Sequence, residues 1–91
     1  EVEEVLKMHG AVADAAVVGL PDDRFGQSVA ALVEFLPGRR ADDADLIAHT
    51  RRHLAAYKAP RHVVIVESLA RANNGKLDYK ALTERARMTL R

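Results

Sequence analysis

Apolar and polar positions change period several times along the chain, and each change marks an element. Val2, Val5 and Leu6 recur at helical spacing, with His9 near the same face, which predicts an amphipathic helix ending at Gly10. Residues 12–20 carry the apolar run Ala15-Ala16-Val17-Val18 and read as a strand, stopped by Pro21-Asp22-Asp23. A loop through Arg24-Phe25-Gly26 leads to a second strand over residues 28–36, closed by a Pro37-Gly38 turn. Asp42 or Asp43 caps the next helix, with Leu46, Ile47 and Leu54 on one side and Arg51 and Arg52 facing outward. That helix ends around Tyr57-Lys58-Ala59-Pro60, because proline disfavours helix at the residue before it. Residues 61–67 form the clearest strand, rich in β-branched side chains. Residues 69–76 are loop, and a last helix runs from Tyr79 to about Arg87.

The order helix, strand, strand, helix, strand, helix defines an α+β domain. Its small sheet is built on an antiparallel hairpin plus a further strand, packed with three helices. The expectation is a sheet covered mainly on one face. Residues 1–91 make one domain, with no internal repeat, and hydrophobic residues at 48% exclude disorder by composition. The chain opens on Glu1-Val2-Glu3-Glu4-Val5, already in helical pattern, which reads as a piece of something longer.

Charge and composition narrow the function classes. Fourteen Lys and Arg against 13 Asp and Glu give a net charge of +1, no electrostatic footprint for nucleic acid or an anionic membrane. The aromatics Phe25, Phe35, Tyr57 and Tyr79 are scattered rather than arranged as a stacking platform, which argues further against a nucleic-acid-binding module. There is no cysteine, no stretch long enough to span a membrane and no visible signal peptide, so a cytoplasmic setting is the default. His49 and His53 have the i, i+4 spacing of a helical zinc pair, but Thr50-Arg51-Arg52 between them supplies no further ligand. They read as an exposed helix face, with no metal site in this chain. His9 and His62 look isolated, and Lys80, Arg85, Arg87 and Arg91 look like a solvated face.

The stretch Arg71-Ala72-Asn73-Asn74-Gly75-Lys76-Leu77-Asp78 is the most informative. Asn74-Gly75 favours positive φ, and Asp78 is a good N-cap for the last helix. Leu77 and Leu82 sit at the positions of a hydrophobic staple. Lys76 is therefore held by its stem between a turn and an anchored helix start, leaving its ammonium free. Two readings fit that spacing: an ordinary surface lysine, or one aimed at an anion.

Four stretches in order resemble the C-terminal domain of the adenylate-forming (AMP-binding) enzymes, most like an acyl-CoA synthetase. They are Glu1-Val2-Glu3-Glu4-Val5-Leu6; Ala15-Ala16-Val17-Val18-Gly19-Leu20-Pro21-Asp22 with Arg24-Phe25-Gly26-Gln27; Leu54-Ala55-Ala56-Tyr57-Lys58-Ala59-Pro60; and Gly75-Lys76-Leu77-Asp78. The resemblance implies a lid domain of a carboxylate–CoA ligase that converts ATP to AMP and pyrophosphate, as in fatty acid metabolism. Lys76 would be the catalytic lysine of acyl-adenylate formation, supported by Asn74, Gly75 and Asp78. Phe25, Gly26 and Gln27 would line the pantetheine path, and Tyr57 and Lys58 would lie near the CoA nucleotide. ATP and CoA are then substrates of the full enzyme, magnesium is bound by the missing domain, and the partner is the N-terminal nucleotide-binding domain. The isolated chain is expected to turn over nothing.

A peptide-synthetase adenylation domain, passing its acyl group to a carrier protein, is the nearest alternative; those relatives more often carry methionine where Lys58 stands. A non-catalytic α+β binding module is the other. The chain departs from the usual family pattern at Ala70 for proline, at Ala72 for threonine, at Ala56 for proline or glycine, and at Ala59 for a basic residue. The first two substitutions predict a looser lysine loop.

Overall fold

The computed structural model describes residues 1–24, 26–55 and 58–90. Phe25, Tyr57, Ala56 and Arg91, all singled out in the sequence, lie outside the described residues. Six elements follow in the expected order: α1 (Val2–Lys7), β1 (Val12–Asp22), β2 (Gly26–Phe35), α2 (Asp43–His53), β3 (His62–Val66) and α3 (Tyr79–Thr89). The sheet has the order β1-β2-β3, with β1 and β2 antiparallel and β3 parallel to β2. The parallel pairing follows from connectivity: a helix between two strands carries the chain back to the starting end of the sheet. The α+β assignment is correct.

The middle strand decides the layering. Residues 30–33 of β2 all have no exposed surface, so both of its faces are covered. On one face Ala16, Val18 and Leu20 of β1, Ala30 and Leu32 of β2, and Val64 and Val66 of β3 pack with Leu69, Leu82 and Ala86 beneath α3. On the other, Ala15, Ala31 and Val33 pack with Leu6 of α1 and Leu46 of α2. The expectation of cover mainly on one face is therefore overturned. Alternation along a strand assigns each side chain a face but does not say how many helices each face recruits. An irregularity in the β1–β2 register between Val12 and Asp14 explains why Val12 shares a face with Ala15 rather than with Ala16.

Several boundaries differ from expectation, among them the start of β2, which lies at Gly26 rather than Ser28. β1 runs through Pro21 to Asp22, because β1 is an edge strand and a missing N–H there costs little. α2 stops at His53, with Leu54 already extended, well before Pro60. Its N-cap is Asp42, whose carboxylate accepts the Asp45 amide at 2.8 Å.

The histidines correct the sequence reading. His53 is exposed, but His49 is only 7% exposed, and its Nε2 lies 2.7 Å from the Val5 carbonyl. A carbonyl can only accept, so His49 donates, tying α2 to the last turn of α1. His9 is not isolated. The Ala11 amide donates to its Nδ1 at 3.0 Å, so its Nε2 carries the proton and donates to Asp45 at 2.8 Å. The His9 ring also meets His49 edge-on at 5.1 Å. The i, i+4 pattern carried no sign of this packing, because the contacting helix is about forty residues away in sequence.

Replacing His49 with Leu should break the α2–α1 bond, leaving the Val5 carbonyl only the Met8 amide at 3.1 Å, and cost about 1 kcal/mol, whereas His53→Leu should stay within about 0.5 kcal/mol. Urea denaturation midpoints of the two variants measure the contrast.

Candidate functional site

The lysine loop begins where Leu69, 2% exposed, plugs into the core beneath α3, and its amide donates to Glu34 Oε1 at 3.1 Å. Ala70 follows with φ 56°, a left-handed conformation that alanine adopts at a cost. Its amide donates to Ser68 Oγ at 3.0 Å. Arg71 then reaches back to β1: Nε lies 2.6 Å from Asp14 Oδ2 and Nη2 lies 3.0 Å from Asp14 Oδ1, a two-pronged pair. The third nitrogen, Nη1, donates to the Gly75 carbonyl at 2.6 Å. The turn closes on itself through Gly75 N to Ala72 O at 2.8 Å and Ala72 N to Lys76 O at 2.9 Å. Gly75 has φ 83°, as Asn74-Gly75 predicts, and the Asn74 side chain accepts the Lys76 amide at 3.1 Å.

Lys76 is exposed, and its ammonium has no ion-pair or hydrogen-bond partner among the described residues. Just after it, Asp78 caps α3 by accepting the Ala81 amide at 3.1 Å, and Leu77 packs against the cluster that contains Leu82, as a staple requires. The loop is thus tied at both ends and in the middle, rather than loosened by Ala70 and Ala72. Proline could not take the φ seen at Ala70 and has no amide to offer Ser68, so the loop follows a path closed to the usual family residue.

A second anchor lies beside the first. Tyr79, the first residue of α3, donates its hydroxyl to Glu3 at 2.8 Å, and the same Glu3 oxygen accepts the Val17 amide at 2.8 Å. The bond to Glu3, reinforced by burial, raises the Tyr79 phenol above its ordinary value. The Arg71 guanidinium beside Asp14 is the main reason that its carboxyl titrates below the ordinary value of 3.8; partial burial opposes the shift. An ion pair this near the surface is usually worth no more than ~1 kcal/mol. Its main consequence is therefore direction, since it holds the turn against the sheet.

The remaining expected site residues stand apart from this loop. Gly26, with φ 79°, and Gln27 start β2 at the hairpin tip, where Asp22 pairs with Gly26. The Gln27 side chain lies across Gly19, where a Cβ would approach its Nε2 to 2.3 Å. Asp14 and Asp22 are eight positions apart on β1, roughly 27 Å of strand, so the anchor of the lysine loop and the hairpin tip occupy opposite ends of the sheet. Lys58 precedes β3 and reaches Glu1 Oε1 at 2.5 Å, which lowers the Glu1 carboxyl below its ordinary value. An open groove of about 600 Å³, between residues 38–41 and the end of β3, does not include Lys76. Among the described residues no group of three or more His, Cys, Asp and Glu could hold a metal ion, and no helix is long and apolar enough to cross a membrane.

Arg71, Asp14, Glu34, Glu3 and Tyr79 went unnoticed as supports of the loop. One signal was available: Asp14 is the one charge within the apolar stretch 12–20 of β1.

Comparison with known proteins agrees with this architecture. Residues 1–76, ending at Lys76, match the AMP-binding enzyme C-terminal domain, and the chain belongs to that family. A medium/long-chain-fatty-acid–CoA/3-oxocholest-4-en-26-oate–CoA ligase of Mycolicibacterium smegmatis is 50% identical over 80 residues, 88% of this chain and 14% of the relative. The medium-chain acyl-CoA ligase Mig of Mycobacterium avium is 42% identical over 86 residues, 94% of this chain and 16% of the relative. The solved Mycobacterium tuberculosis fatty acyl CoA synthetase superposes with a TM-score of 0.88 at 30% identity, covering 98% of this chain and 18% of that protein. The chain thus spans about one sixth of the length of the curated relatives it matches.

Relieving the left-handed alanine through Ala70→Gly should raise stability by several tenths to about 1 kcal/mol, while Ala70→Pro should cost about 2 kcal/mol or more. Thermal unfolding of both variants checks the sign. For Asp14, a depressed folded value means its stabilisation is full above pH 3.8 and lost as pH falls through the lower folded value. Asp14→Asn should therefore flatten the acid limb of the stability–pH profile and change little in shape at neutral pH.

Proposed function

We propose that this chain is the mobile C-terminal domain of an ATP-dependent carboxylate–CoA ligase and supplies the lysine of acyl-adenylate formation. The observation that carries the reading is Lys76: an exposed ammonium without a partner among the described residues, on a turn fixed from three sides. Family membership supports it, as do relatives named as CoA ligases. In this reaction a carboxylate oxygen attacks the α-phosphorus of ATP, the bond to the bridging oxygen breaks, and pyrophosphate leaves. Charge accumulates on the phosphoryl oxygens as this happens. A positioned ammonium stabilises that charge by about 3 kcal/mol in a water-poor site, and lysine suits the task as a compact point charge.

Lys76 lies outside the open groove between residues 38–41 and the end of β3, and in this reading it serves a site completed by the N-terminal nucleotide-binding domain, which also holds the magnesium. The second step transfers the acyl group to the thiol of CoA with release of AMP. Gly26, Gln27 and Lys58, together with Phe25 and Tyr57, form the CoA-facing surface in this reading. The separation of Gly26 and Gln27 from the Asp14 anchor supports a rotation that withdraws Lys76 and brings the other end of the domain forward.

In the full-length enzyme, Lys76→Ala should lower acyl-adenylate formation at least ~100-fold, while transfer from preformed acyl-adenylate to CoA persists. Pyrophosphate release followed beside thioester formation separates the steps; normal pyrophosphate release would refute the reading.

A further inference from the structure

Asp14 and Glu34 face each other across β1 and β2, a cross-strand pair of like charges that a sheet ordinarily avoids. Both are occupied by the same loop. Glu34 accepts the Leu69 amide at 3.1 Å, and Asp14 takes two prongs of Arg71 at 2.6 and 3.0 Å. Lys7 of α1 comes within 4.0 Å of Asp14 and adds a second positive charge. Arg71 spends its remaining nitrogen on the carbonyl of Gly75, the residue that immediately precedes Lys76. The guanidinium is planar and its donors are fixed relative to one another, so the sheet, the loop and the peptide before Lys76 are held in one geometry. Lysine at position 71 would keep the charge but could not make the three directed bonds.

We propose that Arg71 is a positioning residue for Lys76, seated on Asp14 while the cross-strand Glu34 holds the Leu69 amide of the same loop, and that this seat sets the direction in which the ammonium is presented to the reacting phosphate. Arg71 does not itself contact the nucleotide. The inference rests on the adenylation reading of Lys76. Deleting the fork leaves Lys76 chemically intact but frees its turn from β1, and loss of pre-organisation of this kind is a rate effect rather than a binding effect.

The test uses the full-length enzyme containing this chain, with Arg71→Gln, Arg71→Lys, Asp14→Asn and Lys76→Ala, and with Arg71→Gln combined with Lys76→Ala. ATP–pyrophosphate exchange reads the first step, and thioester formation from preformed acyl-adenylate reads the second. Arg71→Gln and Asp14→Asn should lower kcat of the first step roughly 10- to 100-fold, with KM for ATP within about twofold and the second step nearly unchanged. Arg71→Lys should be as impaired as Arg71→Gln, because charge without the fork does not aim the turn. On the Lys76→Ala background, Arg71→Gln should add no further loss, since it acts through the lysine.

A merely structural Arg71 would slow both steps alike and add its loss to that of Lys76→Ala, and that result overturns the proposal. So does full exchange activity in Arg71→Gln when Lys76→Ala is inactive, which leaves the reading of Lys76 standing. Normal exchange in Lys76→Ala removes both. Should Arg71→Gln not fold, Asp14→Asn, nearly unchanged in shape, carries the same comparison.

Discussion

The constraint on which this fold turns is the double burial of β2. Residues 30–33 have no exposed surface on either face, so the sheet must be sealed from both sides by a chain of only 91 residues. α1 and α2 cover one face and α3 covers the other. That division dictates the rest. After β3 the chain must move to the α3 face, and the crossing segment is the lysine loop. Leu69 enters the core at one end of the crossing, and Leu77 and Leu82 close the other.

The crossing brings the loop over two carboxylates at one end of the hairpin. Asp14 and Glu34 would repel one another without it, and the loop without them would be a chain segment tethered only at its ends. Each resolves the difficulty of the other. The energies involved are small, with surface ion pairs contributing no more than ~1 kcal/mol. Their value lies in geometry, since bonds of fixed direction set the loop in one orientation without adding much to overall stability. The strained φ of Ala70 is consistent with a path chosen by its anchors rather than by its own backbone preference.

The polar contacts of the other face follow the same logic at a second junction. His49 donates to the Val5 carbonyl and His9 bridges the Ala11 amide to Asp45, so the short α1 is fixed to α2 by directed bonds as well as by Leu6 and Leu46. Glu3 of the same helix accepts from Tyr79 at the start of α3 and from Val17 on β1. α1 therefore touches the frame of the lysine loop from the opposite side of the sheet edge.

What could be read from residue order alone was whatever depends on neighbours a few positions apart. Periodicity gave the six elements, Asn74-Gly75 gave the turn with Gly75 at positive φ, and Asp42 and Asp78 gave the helix starts. These are local effects of backbone sterics and capping, and they made Lys76 stand out. Tertiary structure alone decided that both faces are covered, that β3 runs parallel to β2, that His49 is buried, and that Arg71 meets Asp14 across 57 positions. A period tells which way a side chain points but not what waits there. Partners far apart in the chain are chosen by the register of the assembled sheet, which exists only once the chain has folded.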